Sequence, residues 1–142
     1  MIYLIAFLLV LSGLSKSVKD TLAHHFNGSI FSNLNRNYWD INISWTNKWT
    51  FPYAIDSKPK FWGSTTFLSW TTDGWHLFDT IQSTCWQVAL SICIQKGLLL
   101  YSIGIICNEK YEIIQIVAQL LIIKILIGIP FELTYSHLFK KK

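Results

Sequence analysis

Apolar residues fall into three long blocks, and a polar, aromatic-rich stretch separates the first two. The blocks cover residues 2–26, 74–107 and 111–131. Each is close to or longer than the roughly 20 residues that a helix needs to cross a bilayer. The pattern therefore predicts an all-α protein. We expect a bundle of three transmembrane helices that forms a single integral membrane domain over residues 1–142.

The first block has the apolar core of a signal peptide but lacks the basic segment that normally precedes one. Its helical pattern continues past Ser15, and Lys16 and Lys19 can reach the membrane interface with their long side chains. These features favour a membrane anchor. Cleavage of residues 1–15 is the alternative that the sequence leaves open.

The stretch over residues 27–72 has no sustained helical period, and Gly28, Pro52, Pro59 and Gly63 interrupt it. It also contains most of the seven tryptophans of the chain. So many aromatic side chains are not typical of a disordered linker, whereas Trp and Tyr are enriched at membrane interfaces. We expect an interfacial connection with short helical turns, folded against the membrane surface or against the helices.

The composition supports a membrane location, with 51% hydrophobic and only 14% charged residues in a chain of 142 residues. Twelve Lys and Arg residues outnumber eight Asp and Glu residues, so the net charge is +4. They form no continuous basic helix or nucleic-acid motif, so we expect no nucleic-acid partner. With three spans, residues 16–73 and the C-terminal tail share the side with most of the basic residues. The positive-inside rule places that side in the cytoplasm.

Four histidines fall on this same side in the three-span arrangement. Asp20 and His24 are four residues apart, and Asp73 and His76 are three apart, so each pair shares a helix face. Imidazole and carboxylate groups on neighbouring helices are typical ligands of a divalent metal such as zinc. The candidate metal ligands are therefore His24, His25, His76, Asp20 and Asp73, with Glu132 as a weaker addition.

This constellation leads to a functional hypothesis: a polar or metal site at one membrane face, with metal-dependent hydrolysis at a lipid headgroup as the reaction. A structural hydrogen-bond network and metal-free acid–base chemistry are alternatives for the same residues. No HExxH, paired CxxC, GxSxG, Walker or GxGxxG motif is present. The sequence therefore does not decide whether the protein is an enzyme.

Several short motifs follow one another in the middle of the chain: DTLAHHF from Asp20, SIFSNLN from Ser29, ISWTNKW from Ile43 and TTDGWHLF from Thr71. In order and spacing they resemble a family of small, uncharacterised integral membrane proteins of Bacteroidetes-type bacteria and of phage or plasmid genomes. The resemblance covers about the middle half of the chain. It implies a shared polar site in a bacterial inner membrane and implies no particular reaction.

A non-catalytic role is the alternative function. In that case the protein is a membrane scaffold or assembly factor, and its Trp-rich connection docks a partner. The expected partners are the lipid bilayer and either another membrane protein or a second copy of this chain. The histidines would then only brace the connection.

Overall fold

The computed structural model describes residues 2–95 and 112–140. In chain order its helices are α1 (Ile2–His24), α2 (Arg36–Trp39), α3 (Ile41–Ser44), α4 (Gly74–Gln95) and α5 (Glu112–Leu133). Short 3-10 turns and a π-helical turn connect or extend them. The described residues are mostly helical and form no strand. The all-α prediction is therefore confirmed.

The three apolar blocks coincide with the three long helices, with differences at their ends. α1 ends at His24, two residues before the end of the predicted block, because the chain turns into a 3-10 segment at Phe26–Gly28. The predicted third block stops at residue 131, but α5 passes through Pro130 and continues as a π-helical turn over Thr134–Leu138. Residues 96–107 of the second predicted span lie outside the described residues.

Pro130 lacks the backbone N–H that would continue the hydrogen-bond pattern of α5. Beyond it, the Thr134 hydroxyl donates to the carbonyl oxygen of Pro130 at 2.7 Å, and the helix widens into the π-helical turn. Proline therefore alters the helix here without ending it. The π-helical turn carries Tyr135 and His137 to the same end of the protein as the end of α1.

One helical stretch in the described part of the chain, Leu120–Leu138, is long and apolar enough to cross a membrane. Only 6% of its most apolar window is buried inside the protein, so its apolar surface faces outward. This finding supports membrane association. The finer prediction of three transmembrane spans is not confirmed.

α1 packs against both α4 and α5. Lys19 of α1 pairs with Asp79 of α4, and Ser12, nearer the start of α1, donates to the carbonyl oxygen of Gln82, so these helices are antiparallel. Lys16 of α1 lies over the ring of Phe131, while Gly13 contacts Ile127, so α1 and α5 are parallel. The end of α1, the start of α4 and the end of α5 therefore lie at one end of the bundle.

The connection between α1 and α4 folds over this end. Its short helical turns begin at residues that favour N-caps: Ser29, Asn35 and Asp40 each accept a hydrogen bond from a backbone N–H two residues later. A buried apolar cluster joins the connection to the helices. Its members are Val18, Leu22, Phe26 and Phe31, with Trp39, Trp75, Phe78 and Phe139 packed against them.

Asp40 links α2 to α3 and is only 2% exposed. One carboxylate oxygen accepts from Arg36 Nη2 at 2.7 Å, and the other accepts from the backbone N–H of Asn42 at 3.1 Å. Burial alone would raise the pKa of Asp40, but the hydrogen bonds from Arg36 and Asn42 outweigh it and hold the pKa below its ordinary 3.8. The ionised form is therefore the one that stabilises the fold.

We expect the protein to lose stability as the pH falls below 3.8, since the stabilisation by ionised Asp40 is complete above that value and disappears on protonation. The solvent exposure of Arg36 limits the loss to about 1 kcal/mol. Asp40→Asn should unfold with less dependence on pH than the wild type in thermal melts in mild detergent. The exposed Asp56→Asn is the control, and an equal change in both variants would contradict the assignment.

Candidate functional site

The candidate site is built around the first turn of α4. Asp73 caps this helix: its Oδ1 accepts a hydrogen bond from the backbone N–H of His76 at 2.8 Å. Gly74 follows because there is no room for a side chain, since a Cβ at this position would lie 2.6 Å from the Trp39 ring. Trp39 thereby covers the helix start. The Asp73 side chain is only 1% exposed and needs partners for its buried charge.

His76 supplies one of these partners. Its Nδ1 lies 2.8 Å from each carboxylate oxygen of Asp73. An ionised carboxylate accepts hydrogen bonds and cannot donate them, so Nδ1 carries the proton. This arrangement leaves the other ring nitrogen, Nε2, with a free lone pair when the imidazole is neutral. The side chain of His76 is 26% exposed, so the ring lies at the edge of the buried region.

Lys48 completes the site. Its Nζ lies 2.7 Å from His76 Nε2, although 28 residues separate the two in sequence. The Lys48 carbonyl oxygen accepts from the backbone N–H of Lys60 and from the hydroxyl of the buried Ser64, both at 2.8 Å. These two hydrogen bonds fold the connection back on itself and fix the Lys48 backbone beside α4. We call Asp73, His76 and Lys48 the relay.

Asn47 fastens this part of the connection to the start of α4. Its amide Nδ2 donates to the carbonyl oxygen of Asn37 at 2.6 Å and to that of Thr72 at 2.9 Å. Thr72 directly precedes Asp73; its hydroxyl donates to the Ser69 carbonyl oxygen at 2.6 Å and lies 3.3 Å from Asp73 Oδ2. Asn47, which precedes Lys48, is therefore hydrogen-bonded to Thr72, which precedes Asp73. The two hydrogen bonds of the Asn47 side chain hold Lys48 close to Asp73 and His76.

The folded environment of Lys48 favours the neutral form of its amine more strongly than bulk water would. Burial lowers the pKa of Lys48 from its ordinary 10.5, while the Asp73 carboxylate partly offsets this effect. The pKa of the Tyr38 phenol changes in the opposite direction, because burial and the Asp73 carboxylate both raise it. The Tyr38 hydroxyl therefore stays protonated and donates to the Trp70 carbonyl oxygen at 3.4 Å. Within this group, Lys48 and His76 are the side chains between which a proton can move.

The relay can hold that proton in two ways. In the first, the Lys48 ammonium donates to neutral His76. In the second, a neutral Lys48 amine accepts from an imidazolium ring whose charge the Asp73 carboxylate stabilises. The hydrogen bond that joins them is short, and both states keep the sum of charges at zero. An amine that passes its proton to an adjacent imidazole can serve as a general base or a nucleophile.

The other candidates from the sequence lie apart from the relay. Asp20 is partly exposed and His24 is exposed, and the structure shows no hydrogen bond or ion pair between them. His24 and His25 instead line a cleft at the end of α1. Glu132 is exposed and accepts a hydrogen bond from the Ser136 hydroxyl.

Among the residues whose side chains the structure describes, 3–93 and 120–140, no group of three or more His, Cys, Asp or Glu is placed to hold a metal ion. The ligand set that the sequence predicts is thus not gathered into one centre among these residues. The physical reason is visible at His76. One of its ring nitrogens faces Asp73, and the Lys48 ammonium faces the nitrogen that a metal would need.

Sequence spacing identified two of the three members of the relay and missed the third. The separation of three residues between Asp73 and His76 places both on one turn of a helix. Lys48 lies in the ISWTNKW motif, but no local rule connects a lysine in a connection to a histidine in the first turn of a helix, 28 residues later. The hydrogen bonds from Lys60 and Ser64 that position it are also contacts within the folded connection.

Comparison of this chain with protein-family models, with curated proteins and with solved structures finds no match. The family resemblance seen in the sequence motifs therefore stays a prediction.

Proposed function

We propose that this chain is an integral membrane protein with a metal-free acid–base site at one membrane face, formed by the relay. Three helices cross the bilayer, and the connection and the C-terminal tail lie in the cytoplasm of a bacterial cell. Three observations support the membrane part: the apolar stretch Leu120–Leu138, the three apolar blocks, and the buried small residues of α1. Small residues at helix contacts are typical of membrane helices.

The observation that carries the site is the 2.7 Å contact between Lys48 Nζ and His76 Nε2, with Asp73 behind the imidazole. In the proposed reaction, Lys48 first passes a proton to His76 and becomes a neutral amine. The hydrogen bond from imidazolium His76 to this amine then breaks, the single lone pair of Lys48 takes a proton from a water molecule, and the resulting hydroxide attacks an ester of a lipid headgroup. Imidazolium His76 returns its proton to the leaving alcohol oxygen. Protons balance, and Asp73 stabilises the transient positive charge on the ring.

The lowered pKa of Lys48 can be tested directly. In competitive labelling with acetic anhydride at a series of pH values, Lys48 should become reactive at lower pH than the ordinary value of 10.5 implies. Mass spectrometry of the peptides gives the labelling of each lysine, and the exposed Lys58 of the same connection serves as the internal reference.

Asp73→Asn sharpens this experiment because the amide can still cap α4. The Asp73 charge raises the pKa of Lys48, so its removal should shift the labelling midpoint of Lys48 to still lower pH. A Lys48 midpoint at or above 10.5 in the wild type would contradict the proposed site. A midpoint that moves upward in Asp73→Asn would do the same.

The proposed reaction is tested with vesicles of labelled phospholipids. Loss of a general base typically lowers a rate by roughly 10²–10⁴-fold. We expect a loss of this size in Lys48→Met, which retains most of the side-chain volume, and little change in the exposed Lys58→Met. Equal hydrolysis by the wild type and Lys48→Met would exclude this role of Lys48.

A second candidate function, a non-catalytic scaffold, is favoured by a specific surface. Three apolar side chains in the connection are strongly exposed: Tyr53 at 84%, Trp62 at 81%, and Ile55 completely. Such a surface is typical of contact with a lipid or protein partner. If the scaffold function is correct, Ile55→Ser with Trp62→Ser should abolish a defined complex seen by native electrophoresis in gentle detergent. Lys48→Met should leave that complex intact.

A further inference from the structure

A second polar feature lies at the same end of the bundle. A cleft of about 460 Å³ opens where α1 gives way to the connection. Its polar lining comes from His24, His25, Asn27, Asn42 and Lys140, and none of the described residues that line it is acidic. The volume is within the usual range of about 300–1,000 Å³ for small-molecule sites. No member of the relay lines this cleft, so it is a separate site.

The fold positions Lys140, a residue of the basic C-terminal tail, in the lining of this cleft. The backbone N–H of Ile30 donates to the carbonyl oxygen of Phe139 at 3.0 Å, and Ser29 pairs with Lys140 in an isolated antiparallel bridge. Ser29 is itself buried, and its hydroxyl donates to the Phe26 carbonyl oxygen at 2.8 Å. Lys140 is thus positioned by paired backbone, although its side chain is exposed.

The charges around the cleft favour a negatively charged ligand. Lys140 carries three N–H donors, each imidazole ring offers a ring N–H, and the amide groups of Asn27 and Asn42 add neutral donors. A divalent cation bound between His24 and His25 would meet the positive charge of Lys140, and the part of the lining that the structure describes offers no carboxylate to offset it. A phosphate group gains a charge-assisted hydrogen bond from Lys140 and further hydrogen bonds from the imidazole and amide groups.

We propose that this cleft binds the phosphate group of an anionic ligand. Its place at the end of the apolar bundle gives two sources for that group: an anionic phospholipid headgroup or a soluble phosphate ester. Either source presents the same oxygens to Lys140 and the two imidazoles. The cleft does not depend on the relay, and the variants that test it leave Lys48, His76 and Asp73 unchanged.

The test uses the full chain in a neutral detergent, with native mass spectrometry to count bound molecules. One arm adds phosphatidylglycerol or, for comparison, phosphatidylcholine; the other adds glycerol phosphate. A basic residue near an anionic surface contributes about 1 kcal/mol, so Lys140→Gln should weaken retention of the phosphate ligand about fivefold. The joint variant His24→Gln, His25→Gln should weaken it at least as much.

Lys58→Gln is the matched control, because it removes the same charge from an exposed lysine of the connection that does not line the cleft. Its retention should equal that of the wild type. Preference for phosphatidylglycerol identifies the headgroup as the source, and retention of glycerol phosphate identifies a soluble ester. The proposal is overturned if neither probe is retained better than phosphatidylcholine, or if Lys58→Gln weakens retention as much as Lys140→Gln. Circular dichroism of each variant verifies that it is folded.

Discussion

Asp73→Ala is expected to lower the free energy of unfolding by about 2–4 kcal/mol. The carboxylate caps the backbone N–H of His76, accepts from its Nδ1, and compensates the positive charge shared with Lys48. Alanine removes all three interactions and leaves two polar side chains without their partner in a region where Asp73 itself is 1% exposed. The partial exposure of His76 and Lys48 keeps the cost below the full penalty of a deeply buried charge. Chemical denaturation in mild detergent, followed by circular dichroism, measures this loss.

Two variants separate the contributions to this effect. Asp73→Asn keeps an oxygen that can cap α4, so it should recover about 1 kcal/mol of the loss. Asp56→Ala replaces an exposed carboxylate of the connection and should change stability by no more than about 0.5 kcal/mol. If Asp73→Ala were as stable as Asp56→Ala, the buried carboxylate would not support the start of α4.

Local patterns in the sequence predict the long helices and the Asp73–His76 pair. Each depends on residues within a few positions of one another: an apolar block forms a helix, and an aspartate before a helix caps its first turn. The alternating directions of α1, α4 and α5 also follow, because the chain reverses its direction after each connection. This reversal brings Asp79 of α4 next to Lys19 of α1. The long helices and the Asp73–His76 pair require no knowledge of distant contacts.

The relay as a whole and the helix contacts depend on packing that the sequence does not display. Lys48 reaches His76 only because Lys60 and Ser64 hold its carbonyl oxygen. The apolar pattern predicts a helix at α1 without indicating which face is buried, and the buried face contains Ser12, Ser15 and Ser17. Small polar residues carry little hydrophobic signal, yet they allow helices to approach closely.

Gly13→Leu is expected to have the second large effect, a loss of about 2–3 kcal/mol or a failure to fold. A Cβ at position 13 would lie 2.3 Å from the carbonyl oxygen and 3.1 Å from the carbonyl carbon of Ile127. These are backbone atoms of α5, so a change of rotamer cannot relieve the overlap and the two helices must separate. Gly13→Ala already introduces the Cβ and should also destabilise the protein in thermal melts, despite the higher helix propensity of alanine.

Gly128→Ala is the matched control in the facing helix, because a Cβ there meets nothing within 4 Å. Without an overlap, alanine should be neutral or stabilising by up to about 1 kcal/mol. Equal melting temperatures of Gly13→Ala and Gly128→Ala would contradict the close contact of α1 with α5. Separation of these helices should also disturb the cleft, because Lys140 follows α5, whereas the relay is built from α4 and the connection. We therefore expect Gly13→Ala to weaken retention of the phosphate ligand and to leave the labelling midpoint of Lys48 unchanged.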